Sequence, residues 1–102
     1  MVQTSIIVRA FNEAKHLPAL FDGIDAQSYS DFEVILVDSG SYDRTREIAE
    51  ARGARLVRIN SQDFTFGYSL NVGIEAAKGE YIVIVSAHTV PVDDEWLARM
   101  IA

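Results

Sequence analysis

Residues 5–8, 32–37, 54–59 and 81–85 form four short apolar runs, and segments of helical periodicity separate them. Leu17, Leu20, Phe21 and Ile24 recur at helical spacing after the first run. Thr45, Ile48 and Ala49 do so after the second, Leu70, Gly73, Ile74 and Ala77 after the third, and Trp96, Leu97 and Met100 after the fourth. Three of the runs show little polar alternation, which fits strands covered on both faces. Gly53 and Gly79 are expected to stop the second and third helices, and Asp93, Asp94 and Glu95 to occupy the first turn of the last. Alternating strands and helices with right-handed crossovers leave one fold class. It is α/β, a parallel sheet with helices on both faces and, with strands numbered along the chain, the order 3-2-1-4.

The bulk properties narrow what such a fold does. The 102 residues form a single domain. The absence of cysteine excludes disulfides and thiolate metal sites. A net charge of −6 argues against a nucleic-acid partner and suits a site that works beside a cation. Every apolar run is far shorter than a membrane span, and no signal-peptide pattern opens the chain, so a cytoplasmic location is expected. The apolar helical pattern is still running at Ile101, so the chain reads as one part of a larger protein. Its sheet edge and apolar helix faces suit self-association, a homodimer being the simplest case.

Doubly wound sheets bind ligands beyond the carboxyl ends of their strands, at the point where strand order reverses. Those ends here are residues 9–13, 38–41, 60–66 and 86–91, each polar and each directly after an apolar run. Asp38 closes the run Ile35-Leu36-Val37 and either contacts a nucleoside or organises the following helix start, with Ser39 or Ser41 as the cap. Asn12 and Glu13 read as a turn with a first-turn acid or as a ligand loop. Phe64, Phe66 and Tyr68 around Gly67 read as an apolar cluster under a long loop or as an aromatic wall, with Gly67 allowing close approach of a ligand. Asn71 faces either the site or solvent. His88, at the end of the fourth strand, is either a structural imidazole or a ligand for a transition metal. His16 has no comparable company and is read as surface.

Three segments, 5–13, 37–45 and 71–81, together resemble family 2 glycosyltransferases of the GT-A fold, in the same order and spacing. They run from Ser5-Ile6-Ile7-Val8 to Asn12-Glu13, from Val37-Asp38-Ser39-Gly40-Ser41 to Thr45, and from Asn71-Val72-Gly73 to Gly79-Glu80-Tyr81. Phe64-Thr65-Phe66-Gly67 and Pro91 resemble a rhamnosyltransferase-like branch. The resemblance implies a Rossmann-like half that binds a nucleotide-diphosphate sugar with Mn or Mg, in an enzyme that inverts the sugar it transfers to an acceptor hydroxyl. It implies nucleotide contacts at Ala10, Asn12, Glu13, Asp38, Ser39, Gly67 and Asn71. It aligns Ser86-Ala87-His88 with the family's metal-binding Asp-x-Asp, with His88 in place of the metal-contacting acid and Ser86 in place of the other. Ser39-Gly40 likewise replaces the commoner Asp-Gly. The family's general base lies in an acceptor-binding half, so residues 1–102 are expected to be the donor-binding part and to carry no catalytic base. The acceptor would be a saccharide or a lipid-linked sugar, reached at the inner face of the membrane through that other half.

Two enzyme alternatives are disfavoured. Sugar nucleotidyltransferases open with a glycine-rich basic loop, and dinucleotide-binding domains with Gly-x-Gly-x-x-Gly. This chain has Arg9-Ala10-Phe11-Asn12-Glu13 at that place. The remaining alternative is a non-catalytic nucleotide-binding or assembly module derived from a transferase, favoured by the missing acids and opposed by Asp38, Asn12 and Glu13.

Overall fold

A computed structural model describes residues 2–60, 62, 65–91 and 93–101, the side chains of Phe66 and Ile101 aside. The elements are β1 (Thr4–Ala10), α1 (Leu17–Asp25), β2 (Phe32–Asp38), α2 (Thr45–Ala51), β3 (Arg55–Arg58), α3 (Phe66–Ala76), β4 (Tyr81–Ser86) and α4 (Trp96–Ile101). The sheet order is β3-β2-β1-β4, and every pairing is parallel, as the alternation requires. The strands extend past their apolar runs to include Ala10, Asp38 and Ser86. Those residues are therefore fixed by the ladder rather than by a loop.

The two faces of the sheet are unequally covered. On one, Leu17, Leu20, Phe21 and Ile24 of α1, Ala49 of α2 and Leu97 of α4 close over Ile6, Val8, Leu36 and Val85. On the other, α3 alone packs Val72 and Ala76 against Ile7, Ile35 and Val37. Burial of each such aliphatic or aromatic side chain stabilises by roughly 1.5–3 kcal/mol, so these clusters decide the fold. Coverage on both faces holds for β1 and for the second half of β2, and fails for β4. Ile82 and Ile84 are 37% and 50% exposed because α3 lies over β1, β2 and β3 and leaves the edge strand bare.

Element ends refine four expectations. Gly53 does terminate α2, at φ 84°. The amide of Gly53 donates to the Glu50 carbonyl and that of Ala54 to the Ala49 carbonyl, the paired bonds of a Schellman motif. Gly79 does not cap α3, which ends at Ala76 with Ala77 in extended conformation. Gly79 is required by close approach, since a Cβ there would lie 2.6 Å from the Ser5 nitrogen and from the Thr4 carbonyl carbon. Neither Ser39 nor Ser41 caps α2. The cap position is Arg44, and Asp43 Oδ1 accepts from the Thr45 amide at 2.9 Å. Asp93, Asp94 and Glu95 precede α4 rather than forming its first turn, and Asp93 accepts from the Glu95 amide.

At the amino-terminal edge of the sheet, Glu33 ties four segments together. Its carboxylate accepts from Ser5 Oγ at 2.6 Å, from the Lys78 amide at 2.7 Å and from Arg55 Nη2 at 2.8 Å. Burial works to raise the Glu33 pKa, but the Ser5 and Lys78 hydrogen bonds and the Arg55 guanidinium outweigh it and hold the group below its ordinary value. A depressed carboxyl contributes stability that is present above the unfolded-state pKa and is lost as pH falls through the folded one. Replacing Glu33 with Gln should therefore lower the melting temperature at neutral pH, and the gap to the parent should close as the pH drops from about 5 to 3. A gap constant across that range would refute the electrostatic account. Gly79→Ala, by contrast, should cost roughly 2–3 kcal/mol at every pH through overpacking, measured by urea denaturation.

Candidate functional site

The carboxyl ends of β1, β2 and β4 enclose a cleft of about 310 Å³. Ala10, Phe11 and Glu13 form one wall, Ser39 another, and Ser86 and His88 the third. It sits where the order reverses between β1 and β4, the place that the topology reserves for a ligand.

Two hydroxyl relays hold the loops behind the first two walls. The Asn12 amide donates to Ser41 Oγ at 2.8 Å, and that hydroxyl donates in turn to the Asp38 carboxylate. The Glu13 amide donates to Thr45 Oγ1 at 2.8 Å, and that hydroxyl donates to Asp43 Oδ1 at 2.5 Å. Each relay joins the β1–α1 loop to an acid, the first at the end of β2 and the second in the β2–α2 loop. Asn12 adds a third tie through Oδ1, which accepts from the Tyr42 amide at 2.9 Å. Asn12 does so at φ 54°, a left-handed conformation that asparagine tolerates better than most side chains. Burial works to raise the Asp43 pKa, but hydrogen bonds from the Thr45 hydroxyl and amide and the Ala14 amide prevail and hold it below its ordinary value.

Asp38 is therefore placed behind the cleft. It is 0% exposed, and its Oδ2 accepts from the amides of Gly40 and Ser41 at 3.2 and 3.1 Å. A carboxylate without such partners would be costly to bury, so the Ser39–Ser41 turn and the Asp38 ion require each other. Ala10 accepts from the Ser39 amide at 3.0 Å, which brings two of the expected nucleotide contacts side by side. Gly67 and Asn71 are exposed on α3 and line no part of the cleft. Phe66, Gly67 and Tyr68 start α3, with Thr65 Oγ1 accepting from the Tyr68 amide as its cap, rather than lying in a long loop. The aromatic wall expected of Phe64 and Phe66 rests on side chains outside the described residues.

The third wall contains a feature that the sequence reading missed. His88 Nε2 lies 2.8 and 3.0 Å from the two carboxylate oxygens of Glu13, so in the neutral ring the proton sits on Nε2. The His16 ring stacks on His88 with centroids 4.0 Å apart and planes 25° apart. His16, read above as an isolated surface residue, is thus brought against the His88 ring by its place at the cap of α1. Glu13, His16 and His88 each offer one ligand atom, all within 4.8 Å of one another. The three-residue interval between Glu13 and His16 was the available signal, since one turn puts both on one side.

Comparison with known proteins agrees with the fold. The family model described as glycosyl transferase family 2 matches residues 5–102. A PGL/p-HBAD biosynthesis glycosyltransferase of Mycobacterium bovis is 35% identical over 102 residues, covering 96% of this chain and 40% of that protein. The chain thus spans two fifths of the length of that relative. Among solved structures, S. aureus TarS 1-349 in complex with UDP-GlcNAc is similar at TM-score 0.84 and 25% identity, over 98% of this chain and 30% of that one. The mannosyltransferase PcManGT from Pyrobaculum calidifontis, in complex with GDP-Man and Mn2+, is similar at TM-score 0.85 and 26% identity, over 97% and 31%.

The relays make a residue-resolved prediction. Ser41→Ala strands both the Asn12 amide and an Asp38 oxygen, and should cost about 2–3 kcal/mol in urea denaturation. Amide exchange should accelerate at Asn12 while Glu13, held by the second relay, stays protected. Thr45→Val should reverse that pattern, and equal acceleration at both amides in either variant would show that the relays are not separate.

Proposed function

Because the chain belongs to glycosyl transferase family 2, we propose that its cleft binds the nucleoside diphosphate of a nucleotide-sugar donor. The whole protein then transfers the sugar, with inversion, to the hydroxyl of a saccharide or lipid-linked acceptor. The observation that carries this reading is the cleft itself, formed by three strand ends at the reversal of strand order, with two of its loops pinned by hydroxyl relays. The similar chains crystallised with UDP-GlcNAc and with GDP-Man lend it support.

In this reading Ala10, Phe11 and Ser39 face the nucleoside. Asp38 and Asn12 act through the loops that they hold, and Gly67 and Asn71 take no part. Glu13 and His88 face the diphosphate. The family's divalent cation suits this end of the cleft even though the Asp-x-Asp acids are replaced by Ser86 and His88, because Glu13 brings a carboxylate to the His88 ring. A cation bound there stabilises negative charge on a departing diphosphate. These 102 residues supply donor binding, and the acceptor hydroxyl is activated by residues outside them. Among the described residues no helix is long and apolar enough to cross a membrane.

The test is thermal denaturation with millimolar UDP, GDP or dTDP, each with and without Mn2+. One of them should raise the melting temperature, a hundredfold excess over Kd being worth about 2.7 kcal/mol. Asp38→Ala should abolish the rise by releasing the Ser39 turn. No response to any nucleotide would overturn the reading. The missing acids at positions 86 and 88 favour a second reading, a non-catalytic nucleotide-binding module. Release of free nucleoside diphosphate from a nucleotide sugar by the full-length protein, with acceptor present, supports the transferase; tight binding with no turnover supports the module.

A further inference from the structure

We propose that Glu13, His16 and His88 form a protein-only site for a divalent transition-metal ion of the zinc class, one that binds before and without any nucleotide. It shares the cleft with the donor reading but does not depend on it. Magnesium demands a shell of oxygen donors, whereas imidazole favours zinc, cobalt, nickel or copper. One carboxylate and two imidazoles are a set that holds zinc with a position left open, and the cleft lies beside it.

Three observations support the site. The first is convergence, since residues from the β1–α1 turn and from the end of β4, 75 positions apart, bring their ligand atoms within 4.8 Å. The second is rigidity at the Glu13 end. The Glu13 carbonyl accepts from the His16 amide at 2.9 Å, closing the turn that sets both side chains on one side, and its amide is held by Thr45. The third is access, because the His88 side chain is 58% exposed and Glu13 21%. In the arrangement seen, the His88 Nε2 proton faces Glu13 and the two rings stack. Binding takes the other tautomer of His88, its proton passing through solvent from Nε2 to Nδ1 so that the bare Nε2 meets the ion, and rotates the His16 ring out of the stack so that its nitrogen converges there.

The experiment uses tag-free protein dialysed against EDTA and titrated calorimetrically with zinc chloride or magnesium chloride alone. Saturable binding of one zinc equivalent is expected, with none of magnesium over the same range. Loss of a group that merely orients a ligand already costs 10–100-fold, so His16→Ala and His88→Ala should each weaken zinc binding by about tenfold or more. Melting curves in EDTA report whether either variant folds. The parent's cobalt absorption spectrum gives a second reading without mutation, because imidazole ligands in a low-coordinate site shift and intensify the bands of the aqueous ion. Absence of saturable zinc binding, unchanged affinity in either folded variant, or a cobalt spectrum like that of the free ion would overturn the site. A nucleotide-induced rise in melting temperature without metal would leave the donor reading standing in any of those cases.

Discussion

The Asp38 carboxylate is the constraint on which the functional end of this protein depends. It lies at the last position of β2 with no solvent contact, paired in the ladder with Ala10 of β1. A buried carboxylate is costly unless hydrogen bonds surround it. The chain supplies them from the residues that follow, the amides of Gly40 and Ser41 and the Ser41 hydroxyl. Gly40, at φ 95°, lets the backbone curl back within two residues. The Ser41 hydroxyl, having donated to Asp38, has its lone pair turned to the Asn12 amide. The β1–α1 loop is thereby fixed by an acid that it does not touch through its own side chains. Arg46, with Nε 4.0 Å from Asp38, adds only a distant countercharge.

The Thr45–Asp43 pair repeats the device, one residue further along the β1–α1 loop and four to five residues further along the chain after β2. A single neutral hydrogen bond contributes on the order of 1 kcal/mol net, too little to immobilise a loop of several residues. Two relays ending on acids, together with the Asn12 bond to the Tyr42 amide, reach the range at which ordering becomes favourable. The opposite edge of the sheet is built on the same logic with different partners. There Glu33 gathers Ser5, Arg55 and the Lys78 amide, and Gly79 allows the α3–β4 link to lie against β1. A parallel sheet exposes its ladder ends at both edges, and in each case an acid organises them. The acid beside the cleft leaves an open wall, while the acid at the far edge closes a joint.

The element order and sheet topology were legible in the sequence because they follow from apolar periodicity and crossover handedness, which need no long-range information. The location of the cleft was legible for the same reason. What each polar residue does within it was not. Asp38 and Asn12 read as ligand contacts because strand-end acids and amides commonly are. The sequence did not show that both side chains also hold the next loop, Asp38 through Ser41 three residues on and Asn12 through the Tyr42 amide 30 residues away. The bare face of β4 was equally hidden, since Ile82 and Ile84 read as core by composition and are exposed only because one helix serves that face.

His16 shows the limit most clearly. In sequence it is a lone histidine before Leu17-Pro18, with nothing to mark it. Three separate facts give it a role. Pro18 in the first turn of α1 is compatible only with a helix beginning there, so His16 sits at the cap. The pairing of Arg9 with Ser86 aligns the ends of β1 and β4. The turn at residues 87 and 88 then brings His88 against the His16 ring and the Glu13 carboxylate. None of these concerns metal chemistry, and each would form in a protein with no ligand at all. The convergence is thus a product of the scaffold: the β1–α1 loop brings the Glu13 carboxylate to the His88 ring beyond β4, and with His16 the two make a donor set richer in imidazole than in oxygen.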